Sequence, residues 1–207
     1  MGIAERVRFS QFHNRIMDAA AAAALIPHGA TVGMSGFTGA GYPKALPQAI
    51  AERAQAEHAQ GRPYKINLWT GASTAPECDG ALAQAHAIGQ RLPFNTDPLA
   101  RQQINAGEID FIDMHLSHVA QHAWFGFFGK MNVAVIEVLG VTADGLLIPS
   151  TAIGNNKTWL EIADQVILEV NTKLPGAMEG MHDIYYGTAI PPRRMPISMT
   201  HADNRIG

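Results

Sequence analysis

The sequence predicts an α/β fold, namely a Rossmann-like parallel sheet with helices on both faces. Strand-like and helical segments alternate along the chain, with Gly and Pro between them. Residues 133–138 (Val-Ala-Val-Ile-Glu-Val) are β-branched and almost wholly apolar, as expected of a central strand in a parallel sheet. Strands separated by helices are typical of βαβ units, whose crossover helices cover both faces of the sheet.

The sequence of the first third of the chain predicts two strands, each preceded by a helix. Residues 15–26 are rich in Ala, Leu, Ile and Met, most of which are good helix formers. A short buried strand is predicted over 30–35, and a glycine-containing loop follows it. Residues 44–60 have the alanine and charge content of a surface helix, and the second strand is predicted over 65–70.

The alternation of predicted helices and strands continues as far as residue 170 and is absent after it. The later elements are predicted as strand 109–114, helix 115–125, strand 133–138, helix 158–163 and strand 165–170. Four prolines interrupt residues 171–207, which are nevertheless rich in aliphatic and aromatic side chains. We therefore predict an α/β domain over 1–170 and an irregular arm over 171–207 that leads to an absent second domain. Without that domain, the arm is expected to stay mobile or to be covered by a second copy that buries Tyr185 and Tyr186.

The composition excludes several classes of protein. Of 207 residues, 47% are hydrophobic and 16% charged, which favours a globular core over disorder. The net charge of −3 lacks the basic surplus of a general nucleic-acid binder. No apolar run reaches the roughly 20 residues of a membrane helix, and no signal peptide is visible. Cys78 is the single cysteine, which excludes an internal disulfide, so we expect a cytoplasmic chain with neither nucleic-acid nor membrane partners.

A glycine-rich segment, Ser35-Gly36-Phe37-Thr38-Gly39-Ala40-Gly41-Tyr42-Pro43, lies between a predicted strand and a predicted helix. It is either a ligand-facing loop or a tight turn. Glycines allow backbone amides to approach a ligand, and a helix N-terminus favours negative charge, but strand-to-helix turns use glycine as well. The spacing is not that of a dinucleotide-binding motif, and Lys44 is not followed by Ser or Thr as in a P-loop.

A second segment, Thr70-Gly71-Ala72-Ser73-Thr74-Ala75-Pro76, follows the next predicted strand. Ligands of open α/β sheets bind beyond the carboxyl ends of the strands, where small hydroxyl side chains can orient a carboxylate or a carbonyl. The alternative is that Ser73 or Thr74 caps a helix that starts near Pro76.

Three further features have a structural interpretation beside a functional one. His115, His118 and His122 share a helix face, but with no HExxH motif and no obvious carboxylate to complete a zinc site they are interpreted as a polar face. Glu137, within an apolar strand, is either an active-site carboxylate or a paired structural group. Cys78 is interpreted as an inert thiol near a turn. The absence of a Gly-x-Ser-x-Gly elbow leaves serine hydrolase chemistry of that type without support.

Five segments, in this order, resemble one family. They are SGFTGAGYPK at 35–44, TGAST at 70–74, PFNTD at 93–97, INAGE at 104–108 and EGMHDI at 179–184. Together they are similar to the N-terminal half of the acetyl-CoA hydrolase/transferase family. Within it the likeness is closest to the succinyl-CoA:acetate CoA-transferases, which are class I CoA-transferases. The resemblance extends from about residue 12 to the end of the chain.

The resemblance implies a longer enzyme with two related α/β domains. In that family a glutamate attacks an acyl-CoA and CoA then passes, through a glutamyl-CoA thioester, to a carboxylic acid. The glutamate lies in the C-terminal half, which no segment here matches. Ser73 matches a serine that orients this glutamate. The residues that match a segment lining the cleft are Gly36, Phe37, Thr38, Gly39, Ala40 and Gly41. No metal and no cofactor are implied, because coenzyme A is a substrate.

We therefore expect the N-terminal half of a CoA-transferase, acting on acetyl-CoA or succinyl-CoA and a small carboxylate. Its partners would be its own C-terminal domain and further copies in a homo-oligomer, and the isolated chain would be inactive. One alternative is an acetyl-CoA hydrolase, in which water replaces the acceptor acid. The other is a non-catalytic binding module, if the chain is complete as given.

Overall fold

The computed structural model describes residues 2–72, 74–184 and 205–206, and seven strands occur in these ranges. The strands are β1 (Thr31–Met34), β2 (Ile66–Trp69), β3 (Ile88–Leu92), β4 (Asp110–Phe111), β5 (Val133–Val141), β6 (Leu147–Pro149) and β7 (Gln165–Val170). They form one sheet in the order β4-β3-β2-β1-β5-β6, and β7 also pairs with β5. All pairs are parallel except β5 with β6. The mostly parallel sheet expected from the sequence is thus confirmed.

Helices connect the parallel strands. They are α1 (Ile3–Arg6), α2 (Ala19–Ala24), α3 (Ala45–Ala59), α4 (Ala81–Gln84), α5 (Pro98–Asn105), α6 (Leu116–Trp124) and α7 (Asn156–Ile162). Two segments, Ser10–Arg15 and Gly176–Met178, are 3₁₀ turns, and Pro76–Gly80 is a π-helical turn. None of the helices described combines the length and apolar character that crossing a bilayer requires.

Helix α2 is shorter than the sequence predicts, because it starts at Ala19 and not near residue 15. The carboxylate of Asp18 accepts a hydrogen bond from the amide of Ala21, 2.7 Å away, which caps the helix at this point. The residues before it form the 3₁₀ turn Ser10–Arg15 instead.

The sheet separates two hydrophobic clusters, as helices on both faces require. Val32, Met34, Val133 and Val135 point to one face, where they pack with residues of α2, α3 and α4. Ala134 and the residues at every second position after it in β5 point to the opposite face of the sheet, where residues of α6 and α7 cover them. β5 is buried along its whole length, as expected of a central strand.

Gly33 of β1 shows how closely the second face is packed. A Cβ at this position would lie 2.6 Å from Cε of Met131 and 3.0 Å from the indole of Trp159. Trp159 is fully buried and lies beside Trp69, with ring centroids 6.3 Å apart. The absence of a side chain at residue 33 therefore lets α7 approach the sheet.

Only part of the arm lies in the described ranges. Ile184 and Ile206 are buried in the second hydrophobic cluster, and Ile206 pairs with Leu147 as a short antiparallel bridge. These two residues thus pack on the domain itself. Tyr185 and Tyr186, for which burial by a second copy is expected, lie outside the described residues, so that prediction remains open.

The start of α3 is fixed by a carboxylate from a distant strand. Glu169 of β7 accepts hydrogen bonds from the backbone amides of Lys44, Ala45 and Leu46, at 2.7, 3.1 and 2.8 Å. These amides have no partner inside the helix, and the positive end of the helix dipole favours a negative charge there. Glu169 therefore ties α3 to the sheet across more than 120 residues of sequence.

Replacing Glu169 by Gln is expected to lower the free energy of unfolding by about 2 kcal/mol, because hydrogen bonds to a charged acceptor are worth about that much. Urea denaturation of the purified protein measures the change. Glu161→Gln is the control, because Glu161 forms only a partly exposed i,i+4 pair with Lys157 on α7 and is expected to contribute less than about 1 kcal/mol. Equal losses in both variants would contradict the capping role.

Candidate functional site

Three loops meet at the carboxyl edge of the sheet. The glycine loop (residues 36–41) follows β1, and the serine loop (residues 70–75) follows β2. Because β1 and β2 are parallel neighbours, both loops leave the sheet at the same edge. The third loop (residues 150–155) connects β6 to α7 and packs against the glycine loop. Such an edge is where open α/β sheets bind ligands.

Ser35, at the end of β1, is the contact point of the three loops. Its fully buried hydroxyl oxygen accepts a hydrogen bond from the amide of Asn155, 2.6 Å away. A Cβ at Gly71 would lie 3.1 Å from the same oxygen, and a Cβ at Gly154 would overlap it. The third loop can approach Ser35 this closely only because residue 154 is glycine, and glycine at residue 71 gives the serine loop a similarly close approach without displacing the hydroxyl.

The glycine loop is a closed turn with an exposed tip. The amide of Phe37 donates to the carbonyl of Ala40 at 2.8 Å, and the amide of Ala40 donates back to Phe37 at 3.0 Å. Phe37, Thr38 and Gly39 are exposed, whereas Gly36 and Gly41 are buried. A Cβ at Gly41 would lie 2.5 Å from the amide nitrogen of Ala152, so the third loop supports the base of this turn.

An ion pair between the partly exposed Lys44 and the buried Glu137 anchors the end of the glycine loop. The ammonium of Lys44 donates to Glu137, 2.6 Å away, and to the carbonyl of Tyr42 at 2.7 Å. Glu137 is 1% exposed and also accepts a hydrogen bond from the side-chain amide (Nδ2) of Asn171 at 3.2 Å. Of the two roles that the sequence left open for Glu137, the paired structural one is therefore observed.

Tyr42 extends this network to the other side of the loop. Its hydroxyl donates to Glu77 at 2.7 Å. Burial of the ring and this hydrogen bond raise the pKa of Tyr42, so it stays protonated at neutral pH. The same hydrogen bond lowers the pKa of Glu77.

The structure corrects the idea that the start of α3 offers its positive end to a ligand. The amides of Lys44, Ala45 and Leu46 already donate to Glu169. The glycine loop therefore presents its own backbone to the carboxyl edge, without a free helix N-terminus behind it.

The base of the serine loop is held by Asp79. Both the amide and the hydroxyl of Thr74 donate to one oxygen of this carboxylate, at 3.0 and 2.7 Å. Arg91 of β3 donates to both carboxylate oxygens, at 2.8 and 2.9 Å. Burial alone would raise the pKa of Asp79, but the charge of Arg91 and these hydrogen bonds outweigh it and hold the pKa below its usual range.

Ser73, the predicted orienting residue, lies outside the described residues. On either side of it, Ala72 accepts a hydrogen bond from the hydroxyl of Thr70 at 2.7 Å, and Thr74 is bound to Asp79. The alternative that Thr74 caps the following helix is not observed, because the N-cap of the turn Pro76–Gly80 is Ala75 and receives no side-chain cap hydrogen bond. The Thr74 hydroxyl instead accepts from the amide of Asp79 at 3.2 Å.

Cys78 lies in the π-helical turn next to Asp79 and is fully buried, in agreement with an inert thiol. Its sulfur is 3.8 Å from that of Met34. Burial, together with the neighbouring carboxylate of Asp79, raises the pKa of the Cys78 thiol to about 12.

Of the three histidines predicted to share a helix face, His118 and His122 lie on α6, and His115 is the residue just before it. The ring centroids of His115 and His118 are 5.8 Å apart, and those of His118 and His122 are 5.9 Å apart. Within residues 2–72, 74–184 and 205–206, no group of three His, Cys, Asp or Glu side chains is placed to hold a metal ion.

Large apolar side chains are exposed at the carboxyl edge. Phe37 of the glycine loop is 57% exposed, and Phe94, just after β3, is 51% exposed. Leu99 and Leu116, near the starts of α5 and α6, are also exposed. This edge therefore combines a small set of closely packed loops with apolar groups that nothing in the described ranges covers.

A family model of the acetyl-CoA hydrolase/transferase N-terminal domain matches residues 1–192. The chain belongs to this family. The resemblance inferred from the five sequence segments is thereby confirmed.

Curated relatives in the acetyl-CoA hydrolase/transferase family include both transferases and hydrolases. A succinyl-CoA:acetate CoA-transferase from Clostridium kluyveri is 42% identical over 203 residues, which cover 98% of this chain and 37% of the relative. A propanoyl-CoA:succinate CoA transferase from Escherichia coli is 44% identical, with coverage of 92% and 39%. An acetyl-CoA hydrolase from Schizosaccharomyces pombe is 34% identical, with coverage of 99% and 40%. The chain thus spans about two fifths of the length of these relatives.

Solved structures support the fold. An acyl-CoA transferase from Escherichia coli O157:H7 has a TM-score of 0.57 at 10% identity, covering 78% of this chain and 44% of that one. Glutaconate coenzyme A-transferase from Acidaminococcus fermentans has a TM-score of 0.54 at 13% identity, with coverage of 74% and 68%. The CoA-transferase type of α/β fold is therefore shared.

Sequence reasoning missed several residues that shape this site in the acetyl-CoA hydrolase/transferase chain. Asp79, Arg91 and Glu169 hold the loops through contacts between distant segments, and Asn155 bonds Ser35. A charged residue inside an otherwise apolar strand was the available signal for Glu169, as it was for Glu137. Nothing local distinguishes Asp79 from a surface residue of a turn.

Gly154→Ala is expected to lower the free energy of unfolding by about 1–3 kcal/mol, through backbone strain and overpacking. Its φ is +51°, and the added Cβ would overlap Ser35 Oγ. Gly39→Ala is the matched control, because a Cβ there has open space and φ is ordinary, and less than about 0.5 kcal/mol is expected. Urea denaturation compares the two, and a tolerated Gly154→Ala would contradict the close packing of the loops.

The Cys78 thiol of the folded protein is expected to react very slowly with Ellman's reagent at pH 8. A pKa of about 12 instead of 9 lowers the thiolate fraction about a thousandfold, and burial also blocks access. In guanidinium chloride the reaction should proceed at the rate of a free cysteine. Rapid modification under native conditions would show that the turn opens.

Proposed function

We propose that this chain forms one side of the active-site cleft of a CoA-transferase, which moves CoA between acetyl-CoA or succinyl-CoA and a carboxylic acid. The observation that carries this proposal is the packing of the glycine and serine loops around Ser35 at the carboxyl edge of the sheet. The chain that forms these loops is 42% and 44% identical to two CoA-transferases.

The proposed chemistry uses a glutamate that another part of the protein supplies. Its carboxylate attacks the thioester carbonyl, the CoA thiolate leaves, and an acyl-glutamyl anhydride forms. The thiolate then attacks the glutamyl carbonyl and releases the first acid, leaving a glutamyl-CoA thioester. The acceptor carboxylate repeats these steps in reverse and leaves with CoA.

A cleft side made of neutral residues suits this chemistry. Nucleophile, leaving thiolate and acceptor are all anions near neutral pH, so the exchange requires no net proton transfer and no general base. What it requires is orientation, which Ser73 would supply by donating a hydrogen bond to the glutamate carboxylate. Gly36, Phe37, Thr38, Gly39, Ala40 and Gly41 would line the cleft. No separate cofactor is proposed, because CoA is a substrate.

The exposed apolar side chains fit a cleft that a second domain closes. Phe37 and Phe94 extend from the same edge as the two loops, and an apolar cover would exclude water from the reactive thioester. We propose that the partner is the C-terminal domain of the same protein, within a homo-oligomer.

An acetyl-CoA hydrolase is the second candidate, since relatives with that activity are 34% identical to this chain. The two functions differ in the final acceptor, which is water for the hydrolase. Small neutral loops are compatible with both, so the acceptor must be identified by assay.

The test is an assay of the complete protein that carries this sequence, with succinyl-CoA and acetate and, in parallel, with acetyl-CoA alone, and with CoA and its thioesters separated by chromatography. Acetyl-CoA formed without free CoA supports the transferase. Free CoA released without acetate identifies the hydrolase, and no conversion favours a non-catalytic binding module. The 207-residue chain alone is expected to show no turnover, because it lacks the nucleophile.

The position of the nucleophile can be tested separately. Sodium borohydride reduces a thioester to an alcohol, so treatment during turnover marks the glutamate that carries CoA. Mass spectrometry is expected to find the reduced residue beyond residue 207. Reduction of Glu137, or of any other glutamate within this chain, would overturn the proposed division of roles.

Ser73→Ala in the complete enzyme is expected to lower kcat between about tenfold and a hundredfold, the equivalent of one hydrogen bond to a charged group. Steady-state kinetics measure kcat, and circular dichroism verifies the fold. Ser117→Ala, on the exposed face of α6, is the control and should behave as wild type. Full activity of Ser73→Ala would remove its orienting role.

A further inference from the structure

The side chain of Asn155, in the third loop, has an unpaired buried atom although the backbone of this residue is firmly bound. Its backbone amide donates to the buried hydroxyl of Ser35 at 2.6 Å, and the same nitrogen lies 3.6 Å from the position of a Cβ on Gly71. Asn155 therefore starts from the junction of the three loops. Its side-chain nitrogen, Nδ2, is buried and forms no hydrogen bond with any residue described. A buried donor without a partner is costly, so this one requires an explanation.

A local structural role does not explain the side chain of Asn155. The residue directly precedes α7, in the N-cap position, where an asparagine commonly accepts a hydrogen bond from an amide of the first helical turn. Its side chain forms no such bond here. The sequence thus places an asparagine where it could stabilise the helix, and the folded chain does not use it in that way. Departures of this kind from local preference are expected at functional sites.

Two residues of α7 are unpaired in the same way. Both polar atoms of the Asn156 side chain and the indole nitrogen of Trp159 are buried without a hydrogen bond among the described residues. Asn156 and Trp159 are 0% exposed, and their spacing of three places them on one face of α7. Trp159 lies against β1, the strand that leads to Ser35. Nitrogen donors outnumber oxygen acceptors among these unpaired atoms and Asn155 Nδ2, so this part of the junction suits a ligand that accepts hydrogen bonds.

Cations close to the three loops are each paired with a carboxylate of the chain itself. The pairs are Lys44–Glu137, Arg91–Asp79 and Lys157–Glu161. A ligand at the junction would therefore meet neutral donors. A carboxylate accepts such hydrogen bonds, and a neutral donor orients it without forming the ion pair that would weaken it as a nucleophile. The acceptor acid of a CoA transfer requires both properties, because it must be held in place and must still attack a thioester.

We propose that Asn155 contacts the substrate and holds a carboxylate oxygen of the acceptor acid through its side-chain amide. This inference rests on the proposed function, and it names the residue that recognises one of the two substrates. The nitrogen and oxygen of a side-chain amide exchange places by a half-turn, so the donor can be turned towards a ligand at the edge. Residue 155 is partly exposed, as such a contact requires. Asn155 is thus a specificity-determining residue for the free acid.

Asn155→Asp and Asn155→Ala, made in the complete enzyme, separate substrate binding from a structural role. Asparagine and aspartate are equally favoured as N-cap residues and alanine is not, so a structural role predicts that Asp is tolerated better than Ala. Carboxylate binding predicts the reverse order, because an aspartate repels an anionic acid. With succinyl-CoA and acetate as substrates, kcat/KM for acetate is expected to fall about tenfold in Asn155→Ala, through loss of one hydrogen bond. It is expected to fall about a hundredfold in Asn155→Asp, through like-charge repulsion.

Asn105→Asp is the matched control, because it adds the same charge at an exposed residue, at the end of α5. Its kinetics should equal those of wild type. Urea denaturation verifies the fold of each variant, and calorimetry should find the Kd of CoA unchanged, because CoA carries no carboxylate.

A folded Asn155→Ala enzyme with wild-type kcat/KM for acetate would overturn the inference, and it decides alone should Asn155→Asp fail to fold. Higher activity of Asn155→Asp than of Asn155→Ala would also overturn it, as would a loss of stability without a kinetic effect, which would assign the side chain a structural role. A wild-type enzyme that transfers no CoA to acetate would overturn the proposed function, and this inference with it.

Discussion

Two carboxylates on neighbouring strands, Glu137 of β5 and Glu169 of β7, constrain the candidate site more than any other groups described. They are register partners, so two like charges lie side by side and each requires compensation. Lys44 compensates the first with its ammonium, and the amides at the start of α3 compensate the second. The end of the glycine loop therefore cannot shift without leaving a buried charge unpaired, which is costly.

The serine loop is held on the same principle by other residues. The buried carboxylate of Asp79 again forms an ion pair with a cation on one side and accepts hydrogen bonds from a loop on the other. Both carboxylates, Glu137 and Asp79, are buried, while the exposed residues at the tip of the glycine loop are small or aromatic. Strong interactions thus fix the bases of the loops and leave the tip of the glycine loop electrically neutral.

Much of the fold could be predicted from the sequence, because periodicity and breakers are local signals. The apolar run at 133–138 gave the central strand, although β5 continues to Val141. β3 was missed because Gly89, Gln90 and Arg91 do not look like a buried strand until Asp79 is seen to neutralise Arg91. The glycine and serine loops could be located from motifs, whereas their anchors come from distant segments and needed the structure.

Cys78 has a consequence for how this protein responds to oxidants. Peroxides attack the thiolate, and disulfide formation also requires access to the sulfur. Cys78 offers neither, because it is fully buried and its proton is firmly held. It is the chain's single cysteine, and it directly precedes Asp79, which anchors the serine loop. Oxidants that act on thiols therefore cannot disturb that anchor through Cys78 as long as the domain stays folded.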